Sequence, residues 1–259
     1  CRWLQQVLLE VLGVRAQLIA AFAVALLIVA VPACLAQGWD VGTDDLWDAR
    51  TVSQTPTQSW FGGTGMIVIP TADIVEQTRV TAHYHAVDVD NKDDWEDVWG
   101  VTASFYPGIE AGVTHLGEAF TGTGSDELVF QAKVGGNLDD LLQLGPDAPN
   151  IAIGGRDLGD QVNETYFVVF SKGFPMEDIE GNYINVSAGI GTADGSGVPL
   201  DGFFFGVDIS PFDFARLQVE HDGENINAAL RYWWSEWAVT EVGVLDGDLG
   251  AGVTLHTGW

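Results

Sequence analysis

The stretch Trp99-Gly100-Val101-Thr102-Ala103-Ser104-Phe105-Tyr106-Pro107-Gly108-Ile109-Glu110-Ala111-Gly112-Val113 decides the fold. Trp99, Val101, Ala103 and Phe105 alternate with Gly100, Thr102, Ser104 and Tyr106. After Pro107-Gly108, Ile109, Ala111 and Val113 alternate with Glu110, Gly112 and Thr114. Successive side chains of a strand point to opposite faces, so this unit has one apolar face and one small, polar face. A two-residue Pro-Gly break between alternating runs is a hairpin signal.

The same unit recurs from Arg79 to the last residue. Val80, Ala82, Tyr84 and Ala86 oppose Arg79, Thr81, His83 and His85. Leu128, Phe130, Ala132 and Val134 oppose Glu127, Gln131 and Lys133. Phe203, Phe205, Val207 and Ile209 oppose Gly206, Asp208 and Ser210. The stretch 165–172 is apolar on both faces and ends in Lys172, and 237–245 alternates poorly. Counted this way, the chain contains about twelve strands of roughly nine residues. Asp222-Gly223 and Asp246-Gly247 suit tight primed turns. Only 138–144 has a helical pattern, of two turns at most, and no βαβ spacing occurs, so the sheet is expected to be antiparallel.

The solvent on the apolar face decides between a membrane barrel and a soluble sandwich. A sandwich also alternates, but its outer face is water-exposed. Here the polar face is rich in Gly, Ala, Ser and Thr. It also carries Arg79, Lys133, Arg156, Lys172, Arg216 and Arg231, six of only ten Lys and Arg in 259 residues. Glu110, Glu127, Asp208, Glu220 and Asp222 share that face and are their expected partners. Small residues and compensated charges suit a narrow lumen, and apolar-out, polar-in strands with aromatic ends suit a transmembrane barrel. Trp99, Phe105, Trp234, Trp237 and Trp259 fall at strand ends, where a girdle lies. The expectation is an all-β, antiparallel up-and-down transmembrane barrel over 61–259. Trp259, closing an amphipathic strand, reads as the signal for the barrel-assembly machinery.

The first 36 residues differ. Arg2 and Arg15 precede and flank an uncharged run, 16–31, and Pro32-Ala33-Cys34-Leu35-Ala36 follows. This reads as a secretory signal cleaved after Ala36; the alternatives are a membrane anchor or lipidation of Cys34. Both cysteines lie in this leader, so the mature chain has no disulfide framework and no Cys-ligated metal. Residues 37–60 read as a polar linker. The net charge of -27 excludes a nucleic-acid reader, which must neutralise phosphates.

Gly62-Gly63-Thr64-Gly65-Met66-Ile67-Val68-Ile69-Pro70-Thr71-Ala72 does not alternate. Pro70 cannot donate to a ladder, and the glycines permit close backbone approach. We expect 61–75 to form a strap that enters the barrel, with Gly62, Gly65, Met66 and Pro70 as its marker residues. An empty lumen lined by Gly, Ala and Thr conflicts with close packing.

That motif, the block Phe130-Gln131-Ala132-Lys133, the block 149–158 with Gly154-Gly155-Arg156-Asp157, the block 166–172, Phe204-Phe205-Gly206-Val207-Asp208 and the run 219–225 together resemble the YjbH-like outer-membrane proteins. The resemblance spans 62–259. It implies a barrel unit in the outer membrane of a Gram-negative-type bacterium, in the context of exopolysaccharide production. It implies no catalytic residues. The partners to expect are outer-membrane lipid, the barrel-assembly machinery, and a polysaccharide or export proteins.

Other chemistry is weak. His83 and His85 lie on one face at a metal-compatible spacing, but a hydrogen-bonded lumen pair is the simpler reading. Asp88, Asp90, Asn91, Asp93 and Asp94 lack the glycine of a calcium loop, and Lys92 interrupts them. No nucleophile elbow is present. No metal or cofactor is expected. The leading function is a non-enzymatic outer-membrane barrel supporting exopolysaccharide export or envelope assembly. The alternatives are an exported soluble carbohydrate-binding β-protein and a barrel lipase.

Overall fold

The computed structural model describes residues 57–75, 79–89, 95–145, 148–175, 183–193, 199–212 and 214–257. The leader, the segment 37–56 and Trp259 lie outside the described residues, as do Asp90 to Asp94. Twelve strands form one closed antiparallel barrel in sequence order, with the last strand pairing with the first. They are β1 (Val80–Asp88), β2 (Glu96–Tyr106), β3 (Ile109–Leu116), β4 (Glu127–Asn137), β5 (Asn150–Arg156) and β6 (Thr165–Pro175). Then follow β7 (Tyr183–Ala193), β8 (Gly202–Phe212), β9 (Ala215–His221), β10 (Ile226–Ser235), β11 (Ala238–Leu245) and β12 (Asp248–Thr257). Two short helices, α1 (Glu118–Thr121) and α2 (Leu138–Leu142), sit in connections. Closure pairs every strand on both sides, so the sheet has no free edge.

The Pro107-Gly108 hairpin joins β2 to β3, with Val101 opposite Val113 and Ala103 opposite Ala111. Gly108 takes a φ of 77°, which a side chain would oppose. At Asp246-Gly247 both residues have positive φ, as a type I′ turn requires. Asp222-Gly223 differs from the tight primed turn expected of it. A longer loop forms, in which the Asp222 carboxylate accepts from the Glu224 and Asn225 amides at 3.0 and 2.8 Å. An aspartate side chain that captures amides two and three residues on replaces the backbone turn.

The parity of the strands sorts the side chains into two environments. Thr81, His83 and His85, Thr102 and Ser104, Gln131 and Lys133, Asp208 and Ser210, and Arg216, Gln218 and Glu220 point inward and are buried. Tyr84, Trp99, Leu128, Phe130, Ile153, Phe203, Phe205 and Val219 point outward and are exposed. Charged residues at outer strand positions are confined, among the described residues, to Asp88 and Asp97 at one rim and Lys172 near the other.

Lys172 corrects the lumen assignment. Ser171 points inward, bonded to Ser187 Oγ at 2.7 Å, and the β6–β7 register is unbroken from Thr165 to Pro175. Lys172 therefore belongs to the outer face with Phe170. Its long stem can lie along an apolar surface while the ammonium reaches the polar edge.

Residues 57–75 occupy the barrel interior. Trp60, Met66, Ile67, Val68 and Ile69 are all buried. Burial of each such side chain contributes about 1.5–3 kcal/mol. The linker boundary also moves, because Gln58, Ser59 and Trp60 lie within the barrel. The wall makes room with glycines. A Cβ on Gly206 would fall 2.5 Å from Met66 Sδ, and one on Gly250 would fall 2.4 Å from the Trp60 ring. Gly250→Leu is therefore expected to destabilise the barrel by about 1–3 kcal/mol, the usual cost of overpacking. The check is the temperature at which the unheated, fast-migrating form disappears on a detergent gel; an unchanged transition would show that Trp60 does not sit against β12.

Candidate functional site

The inner segment is a small folded unit. Thr64 to Thr71 doubles back as a hairpin, with Gly65 bridged to Pro70, the Thr71 amide on Thr64 O at 3.3 Å and the Met66 amide on Ile69 O at 2.9 Å. The preceding arm runs alongside, with the Trp60 amide on Ile67 O at 2.9 Å and the Gly65 amide on Thr57 O at 2.8 Å. Pro70 thus ends a turn at a place where no amide is needed. A segment this short leaves many backbone groups unpaired internally, and buried groups must find partners.

The wall supplies them through three charged clamps. Glu220, on β9, receives the amides of Ile67, Val68 and Ile69 at 3.0, 2.6 and 3.3 Å, and Asn227 Nδ2 at 3.2 Å. Three successive amides converging on one carboxylate fix the hairpin tip. Hydrogen bonds to a charged group contribute about 1.5–3 kcal/mol each.

Arg231, on β10, forms the second clamp. Its Nε donates to Glu241 Oε2, directly across the β10–β11 register. Its Nη2 donates to Gln58 O at 2.5 Å and Met66 O at 2.8 Å. Glu241 is shared with His85 Nε2, and the His85 ring stacks on Trp60 at 5.0 Å. His83 packs beside His85 with ring centroids 5.4 Å apart. Among the described residues no group of His, Asp and Glu has metal-site geometry.

Lys133 and Glu110 form the third clamp. They are cross-strand neighbours on β4 and β3, 3.4 Å apart. Glu110 accepts the Thr64 amide at 2.8 Å, the Thr64 hydroxyl at 2.9 Å and the Val75 amide at 3.0 Å. Lys133 donates to Thr64 O at 2.9 Å and Thr71 O at 2.8 Å, and also to Thr64 Oγ1. The space left around Gly62, Thr64, Lys133 and Phe167 amounts to about 10 Å³, room for about one water.

Neutral contacts complete the fit. Ser171 Oγ accepts the Ala72 amide at 2.8 Å, and Gln58 Nε2 donates to Thr102 Oγ1 at 2.8 Å. Arg156 Nη2 donates to Val68 O at 2.9 Å. Nearer the strand ends that carry the chain termini, Arg216 pairs with Asp208 at 3.1 Å and lies over the Trp233 ring at 4.9 Å.

Several sequence-derived partners fall elsewhere. Glu127 lies at the rim, where Ser125 Oγ donates to it at 2.9 Å, and it does not meet Lys133. Asp222 caps its own loop and accepts Asn227 Nδ2 at 3.0 Å; it makes no direct ion pair with Arg156 or Arg231, but its charge and that of Glu220 act on Arg156 from nearby. Arg79 precedes β1 on the inward parity, and its carbonyl accepts the Ser104 amide at 3.2 Å. Gly62 and Gly65 lie where a side chain would strike Gln131 and the Ile69 carbonyl.

Glu241 is the residue the sequence pattern misses. Strand β11 turns Val239, Gly243 and Leu245 inward beside it, so both faces are apolar and the alternation disappears. A lone carboxylate in the middle of such a run is the available signal. At the far rim, burial and then the neighbouring Asp222 charge raise the Asp246 carboxyl above its ordinary value.

No family model matches the sequence, and no curated protein does. Two solved structures share a likeness, a KdgM porin and a KdgM porin in complex with disordered oligogalacturonate. For each, the TM-score is 0.42 at 11% identity, over 70% of this chain and 99% of the other.

Lys133→Met is expected to destabilise the protein by about 3–5 kcal/mol, because it leaves Glu110 buried without its cation. Adding Glu110→Gln should restore part of that loss. Urea unfolding in detergent, followed by tryptophan fluorescence, measures both; equal stability of the single variant and the parent would refute the clamp.

Proposed function

We propose that the protein is a non-enzymatic outer-membrane barrel, closed internally by its own residues 57–75, that supports exopolysaccharide export or envelope assembly. The carrying observation is the outer face. A closed sheet leaves no backbone group unpaired along its sides, as a bilayer requires. Its outward side chains, among them Phe130, Ile153, Ile190, Phe203, Phe205 and Leu255, are apolar and exposed. A monomeric soluble protein rarely exposes so large an apolar surface.

Aromatic clusters support the same reading. At the end where β1 begins and β12 finishes, Phe212 stacks on Phe214 at 5.4 Å. Phe214 packs against Tyr232, and Tyr232 against Trp234 at 4.7 Å. Trp234 and Trp237 are exposed beside them. Such belts mark the level of lipid headgroups. The order of the motifs that resemble those of YjbH-like proteins supports the polysaccharide context. The non-enzymatic reading is supported by the use made of the interior charges: Glu110, Lys133, Glu220, Arg231 and Glu241 all hold the inner segment.

The reading requires that the closed barrel conduct ions poorly until the inner segment is removed. In planar bilayers, the parent protein is expected to show little conductance, and deletion of residues 61–72 should give large, steady steps. Glu220→Gln, which weakens the hold on the hairpin tip, should give brief openings. A parent that already conducts as widely as the deletion would refute internal closure. Recovery of the protein in the soluble periplasmic fraction would refute the membrane assignment.

A further inference from the structure

At the end of the barrel away from the chain termini, the inner segment and the wall leave a gap on one side. An open cavity of about 300 Å³ lies there, lined by apolar residues that include Phe61, Leu116, Phe120 and Val129, and by Arg156 and Asp157. That volume is at the lower end of the range for small-molecule sites. Leu116 and Val129 are inward-facing and buried, and Phe61, Phe120 and Val162 pack against them partly exposed. Phe61 and Phe120 meet edge to face at 5.5 Å.

The cation in this cavity has no carboxylate in direct contact, although the charges of Glu220 and Asp222 act on it from nearby. Arg156 Nη2 bonds Val68 O at 2.9 Å and Ser59 Oγ at 3.4 Å, and its guanidinium carbon lies 5.8 Å from the centre of the Phe61 ring. None of the ion pairs among the described residues includes it. The adjacent carboxylates are engaged. Asp157 accepts the amides of Gln161, Val162 and Asn163 at 3.0, 2.6 and 2.7 Å, which shapes the loop on the cavity's edge. Glu220 holds Ile67 to Ile69, and Asp222 caps its own loop.

We infer that this cavity is a binding site for an aliphatic monocarboxylate, a medium-chain fatty acid in size and chemistry. The chain lies against Leu116, Phe120, Val129 and Val162, and the carboxylate meets Arg156. A planar guanidinium is matched to a carboxylate in geometry. The apolar walls select a hydrocarbon body. The rim selects against multiple charge, since Glu118, Asp160 and Glu164 stand on the connections around the opening. Those exposed carboxylates are screened by salt more strongly than a contact inside the cavity. Binding therefore tightens as ionic strength rises from low to moderate values. This site stands apart from the three charged clamps, although Arg156 also holds Val68 O of the inner segment.

The test uses the full chain in lipid nanodiscs and a decanoate carrying a terminal diazirine. Incorporation is scored first by size exclusion. If the chain stays out of the bilayers, the proposed function fails, and labelling is then run on the soluble chain. After illumination, adducts are expected on peptides containing Leu116, Phe120, Val129 or Val162. Decanoate should compete and decanol should not. Arg156→Gln should weaken labelling about tenfold, the loss of one charge-assisted contact. Leu116→Trp, which fills the cavity and leaves Arg156 and its bond to Val68 in place, should abolish it. Heat-modifiable migration establishes that each variant retains its barrel. Adducts confined to outward-facing peptides, equal competition by decanol, or undiminished labelling in both variants would overturn the inference.

Discussion

Buried charge and unpaired backbone satisfy one another in this barrel, and the rest of the structure follows from that exchange. Glu110, Lys133, Glu220, Arg231 and Glu241 are buried and point into the space that residues 57–75 fill. Residues 57–75 enter the same space carrying amides and carbonyls that no ladder satisfies. An isolated buried ion and an orphaned buried amide are each unfavourable. Together they form the three clamps. Without the inner segment the wall's inward charges must turn to water for partners, and without the wall the segment's amides lose the groups that receive them.

The wall's composition follows. Gly206 and Gly250 face Met66 and Trp60, and any side chain there would displace the inner segment. Phe167, Val169 and Phe204 are inward-facing apolar residues, and they join Met66 and Ile69 in a small core inside the sheet. This barrel has a hydrophobic core on the inside and an apolar coat on the outside, with the sheet backbone between. The inward polar groups include the clamps, the Arg216–Asp208 pair, and Ser and Thr hydroxyls such as Ser171, which receives the Ala72 amide.

Most of the fold was legible because parity is robust. A one-residue slip would turn every inward side chain outward, so an alternating strand announces its own facing. The Trp99 to Val113 hairpin and the inward places of Lys133, Arg156, Glu220 and Arg231 could be read from sequence for this reason. The signal weakened where both faces are apolar. In β6 the inward Phe167 and Val169 hid the parity of Lys172, and in β11 Val239 and Leu245 hid Glu241. The ion partners were harder still. Glu110 meets Lys133 through strand register, whereas Glu127, on the same inward parity, lies at the rim. The boundary of the inner segment was missed because Thr57-Gln58-Ser59 is polar. A polar stretch that pairs with a polar interior has no hydrophobic signature to distinguish it from a linker.

The placement of the clamps bears on the order of assembly. Thr64 is held by Glu110 across 46 residues, whereas Val68 is held by Glu220 across 152. The first hold is complete once β3 and β4 exist, and the second waits for β9. Contacts between distant parts of a chain form late, because a longer loop must be closed. Loop closure therefore favours capture of the inner segment by the early strands ahead of the late ones. In that order the segment would serve as a mandrel, with the sheet closing around it when β12 reaches β1. Strand pairing closes the sides of the finished barrel and leaves only its ends as a way in for the segment.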